Sequence, residues 1–413
     1  MISTLSIRSA TDLAYKGDFA SAIRLLGPSW QGLGVNPARN GEGDHEYAEL
    51  LLACGVLSVE MGRFQAIPCQ SEAKDLLSHA ARLFGNDPME SEVRLWLAIA
   101  YVRSGENSEA VAICDSIIAA QTADIDTVFG AGRVKGLAHL NFGRLDCSEE
   151  AFRSVEIFVD SVAPISRGKF YLSRGILYRQ SRRFADALAD YELADDSFRD
   201  AESPRYQAAV QNNIAGVYSE QGRFSDAHAS AQRSLLLFEQ IGDLSHEAKV
   251  WDQIAQIFLL QGKYDEAARC SARAVEILST GDHEGWLAEA LITHGIALSR
   301  VAMAQAHESL DRALHICERL GDPKQAEIAT AAMWEIVKRS HCLQEGLRQS
   351  ASPIERAVYE RALAANDGRV SPAARALGYN HQAFMLRLES HFPELLSERR
   401  PPRKRRKAAF RSK

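Results

Sequence analysis

The chain has 413 residues, 46% of them hydrophobic and 25% charged, with a net charge of −6. That composition excludes a disordered or collagen-like chain and is long enough for more than one domain. No apolar run approaches the roughly 18 residues needed to span a bilayer, and the first residues lack the basic-then-apolar build of a signal peptide, so a cytoplasmic protein is expected.

The even-looking total hides a division. Residues 351–413 hold 14 Lys/Arg against 6 Asp/Glu, a net of +8, which leaves 34 against 48, a net of −14, in residues 1–350. An acidic body joined to a basic end is the pattern of a protein that meets a polyanion at one end. The seven cysteines are scattered without a C-x-x-C pair and are expected as buried, reduced thiols, with no metal or disulfide set.

From the N-terminus to about residue 345 the dominant signal is internal repetition. Turn glycines stand at Gly17, Gly62, Gly105, Gly143, Gly222 and Gly262, with Arg182 filling the missing place. The steps between these marks are 45, 43, 38, 39, 40 and 40 residues. Seven residues before each mark is a small side chain: Ala10, Gly55, Ala98, Gly136, Gly175, Ala215 and Ala255. Aromatics precede the later marks by four (Tyr101, Tyr178, Tyr218, Phe258), and Phe19, Phe64, Phe184, Phe224 and Tyr264 follow by two. Two antiparallel helices approach closely only where the crossing residue is small, and aromatics fill the space around that crossing. Such a hairpin cannot bury its own apolar face, so neighbours stack into a superhelix.

This Gly-x-aromatic-x-x-Ala register resembles tetratricopeptide repeats, with helices longer than in the usual unit of about 34 residues. The expected fold is therefore all-α: about eight helix pairs plus closing helices over 1–345. Second helices are expected to end at C-cap glycines Gly242, Gly281 and Gly321. An eighth unit falls around Gly295 and Ala306. The resemblance implies a concave groove for a peptide or protein partner, with Lys169, Arg179, Asn212, Lys249, Asp252 and Gln256 on its contact positions. Trp251, Tyr178, Tyr218 and Phe258 are expected as packing residues.

Residues 346–351 (Gly-Leu-Arg-Gln-Ser-Ala) read as a short polar linker. Beyond it, Ser352 with Glu355 has the form of a capping box opening a helix whose apolar positions are Ile354, Val358, Ala362 and Leu363. Ser371 is a candidate cap and Pro372 a first helical residue of the next helix, and Gly378 ends it. Asn380 caps a third helix running through about Ser390, with Ala374, Leu377, Phe384 and Leu388 buried. Residues 352–398 thus resemble the Fis-type helix-turn-helix module, through Gly368, Ala373-Ala374, Leu377-Gly378 and Phe384/Leu388. His381, Ala383, Met385 and Leu386 depart from the polar or basic residues usual in that family's recognition helix.

The resemblance implies a bacterial regulator binding double-stranded DNA as a homodimer, with the third helix in the major groove. His381, Gln382, Met385 and Leu386 are the candidates for base edges, and Arg375, Asn380 and Arg387 for phosphates. The tail 399–413 opens with Arg399-Arg400-Pro401-Pro402-Arg403-Lys404-Arg405-Arg406-Lys407. It is too charged to fold alone and suited to neutralising phosphates. The alternative is a protein-interaction scaffold whose C-terminal bundle is an adaptor.

No enzyme is expected and no cofactor is implied. The phosphate-loop, H-E-x-x-H and G-x-S-x-G patterns are all missing, and the central ATPase that accompanies Fis-type modules in enhancer-binding activators has no counterpart here.

Overall fold

The computed structural model describes residues 3–396 apart from 17–18, 40, 42, 65–69, 121–122, 282 and 341–344. Among the described residues every regular element is helical. The chain divides into two compact units, 1–286 and 287–413.

Unit 1 is a run of helical hairpins. They are α1 (Thr4–Lys16) with α2 (Phe19–Leu26), α3 (Asp44–Phe64) with α4 (Gln70–Phe84), and α5 (Met89–Arg103) with α6 (Asn107–Ala119). Next come α7 (Ile125–Asn141) with α8 (Leu145–Val155), and α9 (Pro164–Gln180) with α10 (Phe184–Asp200). Then follow α11 (Pro204–Glu220) with α12 (Phe224–Ile241), and α13 (Leu244–Leu260) with α14 (Tyr264–Leu278). Helix α15 (Glu284–Leu298) continues into unit 2.

The crossing residues explain the hairpins. A Cβ on Gly136 would lie 2.8 Å from the Phe152 ring, and one on Gly175 would lie 2.5 Å from that of Tyr191. Ala98, Ala215 and Ala255 are wholly buried at the same register. Phe152, Tyr191 and Phe198 are fully buried as a result, each contributing roughly 1.5–3 kcal/mol of transfer free energy. Ser148 Oγ donates to the Gly136 carbonyl (2.8 Å), and Ser234 Oγ to that of Ala208 (2.8 Å), tying second helix to first. Arg182, the one mark that is not glycine, has φ +57°, beside +70° to +81° at Gly105, Gly143, Gly222 and Gly262. The turn imposes its left-handed backbone whatever residue stands there.

A further regularity follows each turn. Arg183 lies 4.2 Å from the Tyr178 ring centre, Arg223 lies 4.3 Å from that of Tyr218, and Lys263 lies 5.8 Å from that of Phe258. In these three hairpins the cation that opens the second helix covers the aromatic closing the first, so these aromatics are packing residues as expected. Trp251 is likewise partly buried, and its indole N–H donates to Glu247 (3.2 Å).

Two expectations about turns are corrected. Gly62 lies inside α3, because Met61 is buried and Arg103 Nη1 takes the Val59 carbonyl at 2.6 Å. Packing thus holds a last turn that glycine's weak propensity would end. Gly281 is not a left-handed cap; α14 ends at Leu278, where Ser279 follows and the Thr280 hydroxyl satisfies Ile277. Gly242 and Gly321 do cap their helices, at φ +68° and +67°. Gly17 falls outside the described residues.

Unit 2 holds the rest of α15, then α16 (Met303–Leu320), α17 (Pro323–Ser340), α18 (Glu345–Ala364), α19 (Val370–Ala376) and α20 (His381–His391). A Cβ on Gly295 would meet Leu310 at 2.5 Å, so α15 and α16 repeat the hairpin crossing. Helix α18 packs on α17 and α16, and Arg361 Nη1 pairs with Glu318 of α16 at 2.6 Å.

The expected linker 346–351 lies within α18. Leu, Arg, Gln and Ala favour helix, so the segment extends α18 toward its N-terminus. Ser352 is therefore interior and the capping box does not form; the Glu355 carboxylate faces the core instead. Helix α19 starts at buried Val370 with Arg369 as its cap residue, so Ser371 is not the cap. Gly378 has φ +74°, and Asn380 Oδ1 accepts from the Ala383 N–H at 2.7 Å, both as the sequence indicates. Ala374, Phe384 and Leu388 are fully buried.

Candidate partner groove and nucleic-acid interface

First helices α3, α5, α7, α9 and α11 touch one another in succession, and α11 touches α13, so they line the inner surface of the stack. Between α3 and α11 that surface opens a cavity of about 530 Å³. Trp96, Ile99, Leu137 and Ile176 form apolar walls, and Arg103, Arg133 and Lys169 bring positive charge. Arg103 is committed inward: besides Val59 it reaches the buried Glu60 at 3.6 Å. Lys169 Nζ sits 5.2 Å from the Tyr206 ring centre.

A recess of about 260 Å³ continues from the cavity, sharing Trp96, Ile99, Arg133 and Lys169, and is also lined by Glu92, Asp124 and Asp126. Burial, and then the Asp124 charge, push the Glu92 carboxyl above its usual range. Asp124 also caps α7, accepting from Thr127 N–H and Oγ1 at 2.9 Å each.

Of the six groove residues named from the sequence, Lys169 borders this cavity. The others lie further along. Arg179 pairs with Glu220 (2.6 Å) and crosses Gly216; Lys249 Nζ is 5.2 Å from the Trp286 ring centre; Gln256 donates to Asp252 at 2.7 Å. The Asn212 side-chain oxygen is buried without a hydrogen-bond partner among the described residues. Sequence reading missed Trp96, Arg103 and Arg133. Ile99, Leu137 and Ile176 all stand six residues before their marks, a register the repeat itself supplies.

A second cluster was also missed. Asp243 is buried, and its Oδ2 both accepts from Arg205 and lies 3.0 Å from His246 Nδ1. The His246 ring packs between Phe238 and Trp286, and buried His283 stacks on Trp286 at 4.6 Å. Two histidines that look unrelated in sequence thus share one indole. Among the described residues no group of acidic, histidine or cysteine side chains forms a metal site. Burial pushes the Cys114 thiol up to about 12, and the Cys54 thiol well above its ordinary value.

In the C-terminal bundle, α19, a tight turn and α20 pack on α18. His381 and Gln382 are exposed, Met385 is half-buried and Leu386 is 67% exposed. His381 Nδ1 is 3.0 Å from Ser371 Oγ, across the turn. Arg375 is exposed, whereas Asn380 is occupied as a cap. Arg387 turns inward: its Nε donates to Glu355 at 2.5 Å, and Glu355 also accepts from Tyr359 Oη at 2.6 Å. Burial and then the Glu355 contact hold the Tyr359 phenol far above its ordinary value. Arg387 would be lowered by burial, but the Glu355 hydrogen bond outweighs this and raises it. Arg399, Arg400, Arg403, Lys404, Arg405, Arg406 and Lys407 lie outside the described residues.

The chain contains tetratricopeptide repeats. Patterns described as tetratricopeptide repeat match residues 207–241 and 248–277. No curated protein sequence matches the chain. Among solved structures it is similar to a signal transduction ATPase with numerous domains and a tetratricopeptide repeat sensor from Pyrococcus horikoshii. That match has 11% identity and TM-score 0.57, over 85% of this chain and 53% of that one. It is also similar to a Rap protein complexed with competence and sporulation factor, at 12% identity and TM-score 0.54, over 86% and 100% of the two chains. The apo form of RapI gives 14% identity and TM-score 0.55, over 85% and 96%. At these identities the likeness is one of fold. Among the described residues no helix is long and apolar enough to cross a membrane.

Proposed function

We propose that the chain is a bacterial, cytoplasmic, DNA-binding transcriptional regulator. The repeat array takes a protein or peptide partner, and a C-terminal helix-turn-helix with a basic arm holds double-stranded DNA; no catalytic role is assigned. The observation that carries the DNA reading is the exposed first turn of α20, presented by a side-chain cap at Asn380 and a left-handed turn at Gly378. That turn offers Gln382, whose amide suits adenine, and His381, which suits a guanine acceptor. An 11-residue helix reaches few base pairs, so two copies on half-sites about 34 Å apart are the working assembly.

Residues 352–396 hold five Lys/Arg and five Asp/Glu, so attraction for phosphates falls mainly to the arm. The same neutrality, together with exposed Leu386 and Glu389 on α20, favours the second reading, an adaptor bundle that contacts protein. Fluorescence anisotropy of the full chain against labelled duplexes separates them. The regulator reading expects Gln382→Ala and His381→Ala to change the preference among sequences. It also expects deletion of 399–413 to remove most of the salt dependence, a log–log slope near −6 for about seven phosphate contacts. No binding to any duplex at low salt would leave the adaptor.

A further inference from the structure

We propose that the cavity between α3 and α11 is the array's principal partner site. Its occupant is an extended peptide segment in which a bulky apolar side chain lies between a cationic group and a carboxylate. The proposal rests on reading the array as a partner-binding surface, and adds where the partner sits and what chemistry it has.

Position within the stack comes first. At the register six residues before each mark, the inner surface carries Ile99, Leu137 and Ile176 on α5, α7 and α9, then Gly216 and Gln256 on α11 and α13. The apolar strip therefore stops at α11, where Tyr206 closes the cavity. A volume of about 530 Å³ with Trp96 in the wall matches cavities that take a compact ligand, and admits one aromatic or branched side chain with its flanking backbone.

Charge then fixes the occupant. Arg133 and Lys169 line both the cavity and the adjoining recess, while Glu92, Asp124 and Asp126 line the recess alone. Arg103, at the other end, is turned onto Glu60 and Val59. The two spaces thus share cations and apolar walls, Glu60 of the cavity faces Arg103, and three further carboxylates line the recess. A polyanion such as single-stranded nucleic acid would gain from Arg133 and Lys169 but meet the acidic side chains that line the recess. A uniformly basic segment meets the reverse conflict. A segment bearing both signs, one on each side of its apolar residue, complements the whole surface and is fixed in direction by it.

The test uses the full-length protein and fluorescein-labelled hexapeptides centred on phenylalanine, followed by anisotropy. One set flanks the phenylalanine with a lysine and an aspartate in either order; others carry two aspartates, two lysines or two serines. A single-stranded oligonucleotide is the further probe. One lysine–aspartate order should bind at least tenfold tighter than the serine peptide. Arg133→Glu with Lys169→Glu should abolish that advantage and shift preference to the two-lysine peptide. Arg233→Glu, exposed on second helix α12 and outside the groove, should leave binding unchanged. Should the double variant melt early, Arg133→Gln alone should still weaken the lysine–aspartate peptide severalfold. Equal binding of all peptides, no saturable binding up to about 1 mM, or tighter binding of the oligonucleotide overturns the proposal. Loss on Arg233→Glu overturns this placement while leaving a partner surface elsewhere on the array. DNA titrations of the same samples report on the regulator reading independently.

Discussion

Replacing Arg387 by alanine distinguishes two roles for that residue. If it is part of the bundle's core, its removal takes the charged partner from the Glu355 carboxylate, which is 7% exposed and also accepts from Tyr359 Oη. Removing one partner of a fully buried ion pair costs roughly 3–5 kcal/mol. The Arg387 side chain is 31% exposed, so water recovers part of that loss and about 2 kcal/mol is expected. The comparison is Arg356→Ala, whose pair with Glu394 spans 3.6 Å with side chains 53% and 49% exposed, and which should cost about 0.5 kcal/mol or less. Urea titration followed by Trp334 emission suits the measurement, because this is the tryptophan of unit 2 and its ring lies 5.6 Å from that of Tyr379. A double change, Glu355→Gln with Arg387→Met, should recover much of the loss, since no buried charge remains. Equal midpoints for the Arg387 and Arg356 variants would refute the core assignment. A DNA salt slope falling by about one unit, with stability unchanged, would instead return Arg387 to the phosphates.

Three further outcomes follow from the array. Arg182→Gly should stabilise unit 1 by about 0.5–1 kcal/mol, the relief of a left-handed backbone less glycine's greater freedom when unfolded, read by thermal melting; a loss of stability would mean that the Arg182 side chain matters. Gly175→Val should destabilise by about 3 kcal/mol, because Tyr191 is fully buried and cannot yield to a Cβ placed 2.5 Å away. His228 is held below its ordinary value by burial and then by Lys263, and lies 2.9 Å from Gln261 Nε2. Its neutral form is therefore the folded form. Its contribution is full above the unfolded value near 6.5 and is lost as pH falls through that value toward the lower folded one. The stability gap between the parent and His228→Asn should narrow from pH 7.5 to pH 5.5 in circular-dichroism melts; a constant gap would sink the argument.

What the sequence makes legible is what sterics force. A residue seven places before a turn has to be small, because the facing aromatic fills the crossing, so Gly136, Gly175 and Ala215 announce the hairpins by themselves. The turn before α20 is equally plain, since Gly378 and Asn380 each do a local job that few other residues can. Features set by tertiary contact were not legible. Gly62 reads as a turn until Arg103, 41 positions on in the chain, is seen holding the end of α3. Ser352 and Glu355 read as a cap until Arg387 draws the carboxylate inward. The cavity lay between these cases. Its residues occupy a fixed register, but only the stacking of first helix on first helix says that this register faces inward.

Under the proposed DNA reading, the fold of unit 2 bears on how a partner bound to repeats would be felt by α20. A pivoting head would need a flexible joint, yet 346–351 belong to α18, which packs along α17 and α16. The joint is also filled: Trp334 of α17 meets Tyr359 of α18 and Tyr379 of the turn before α20, at 6.2 and 5.6 Å between ring centres. Tyr359 and Tyr379 share a hydrogen bond of 3.1 Å, and Tyr359 reaches Glu355 and through it Arg387 of α20. A contiguous set of packed and hydrogen-bonded side chains thus runs from the helix after the last hairpin to the exposed helix. Such a set transmits displacement of α17 rather than absorbing it. Signalling by free swivel of the head would require Trp334→Ala to leave DNA affinity unaltered. Rigid carriage expects that change to loosen α20 and weaken any DNA binding, although Trp334 lies on α17 rather than on α20.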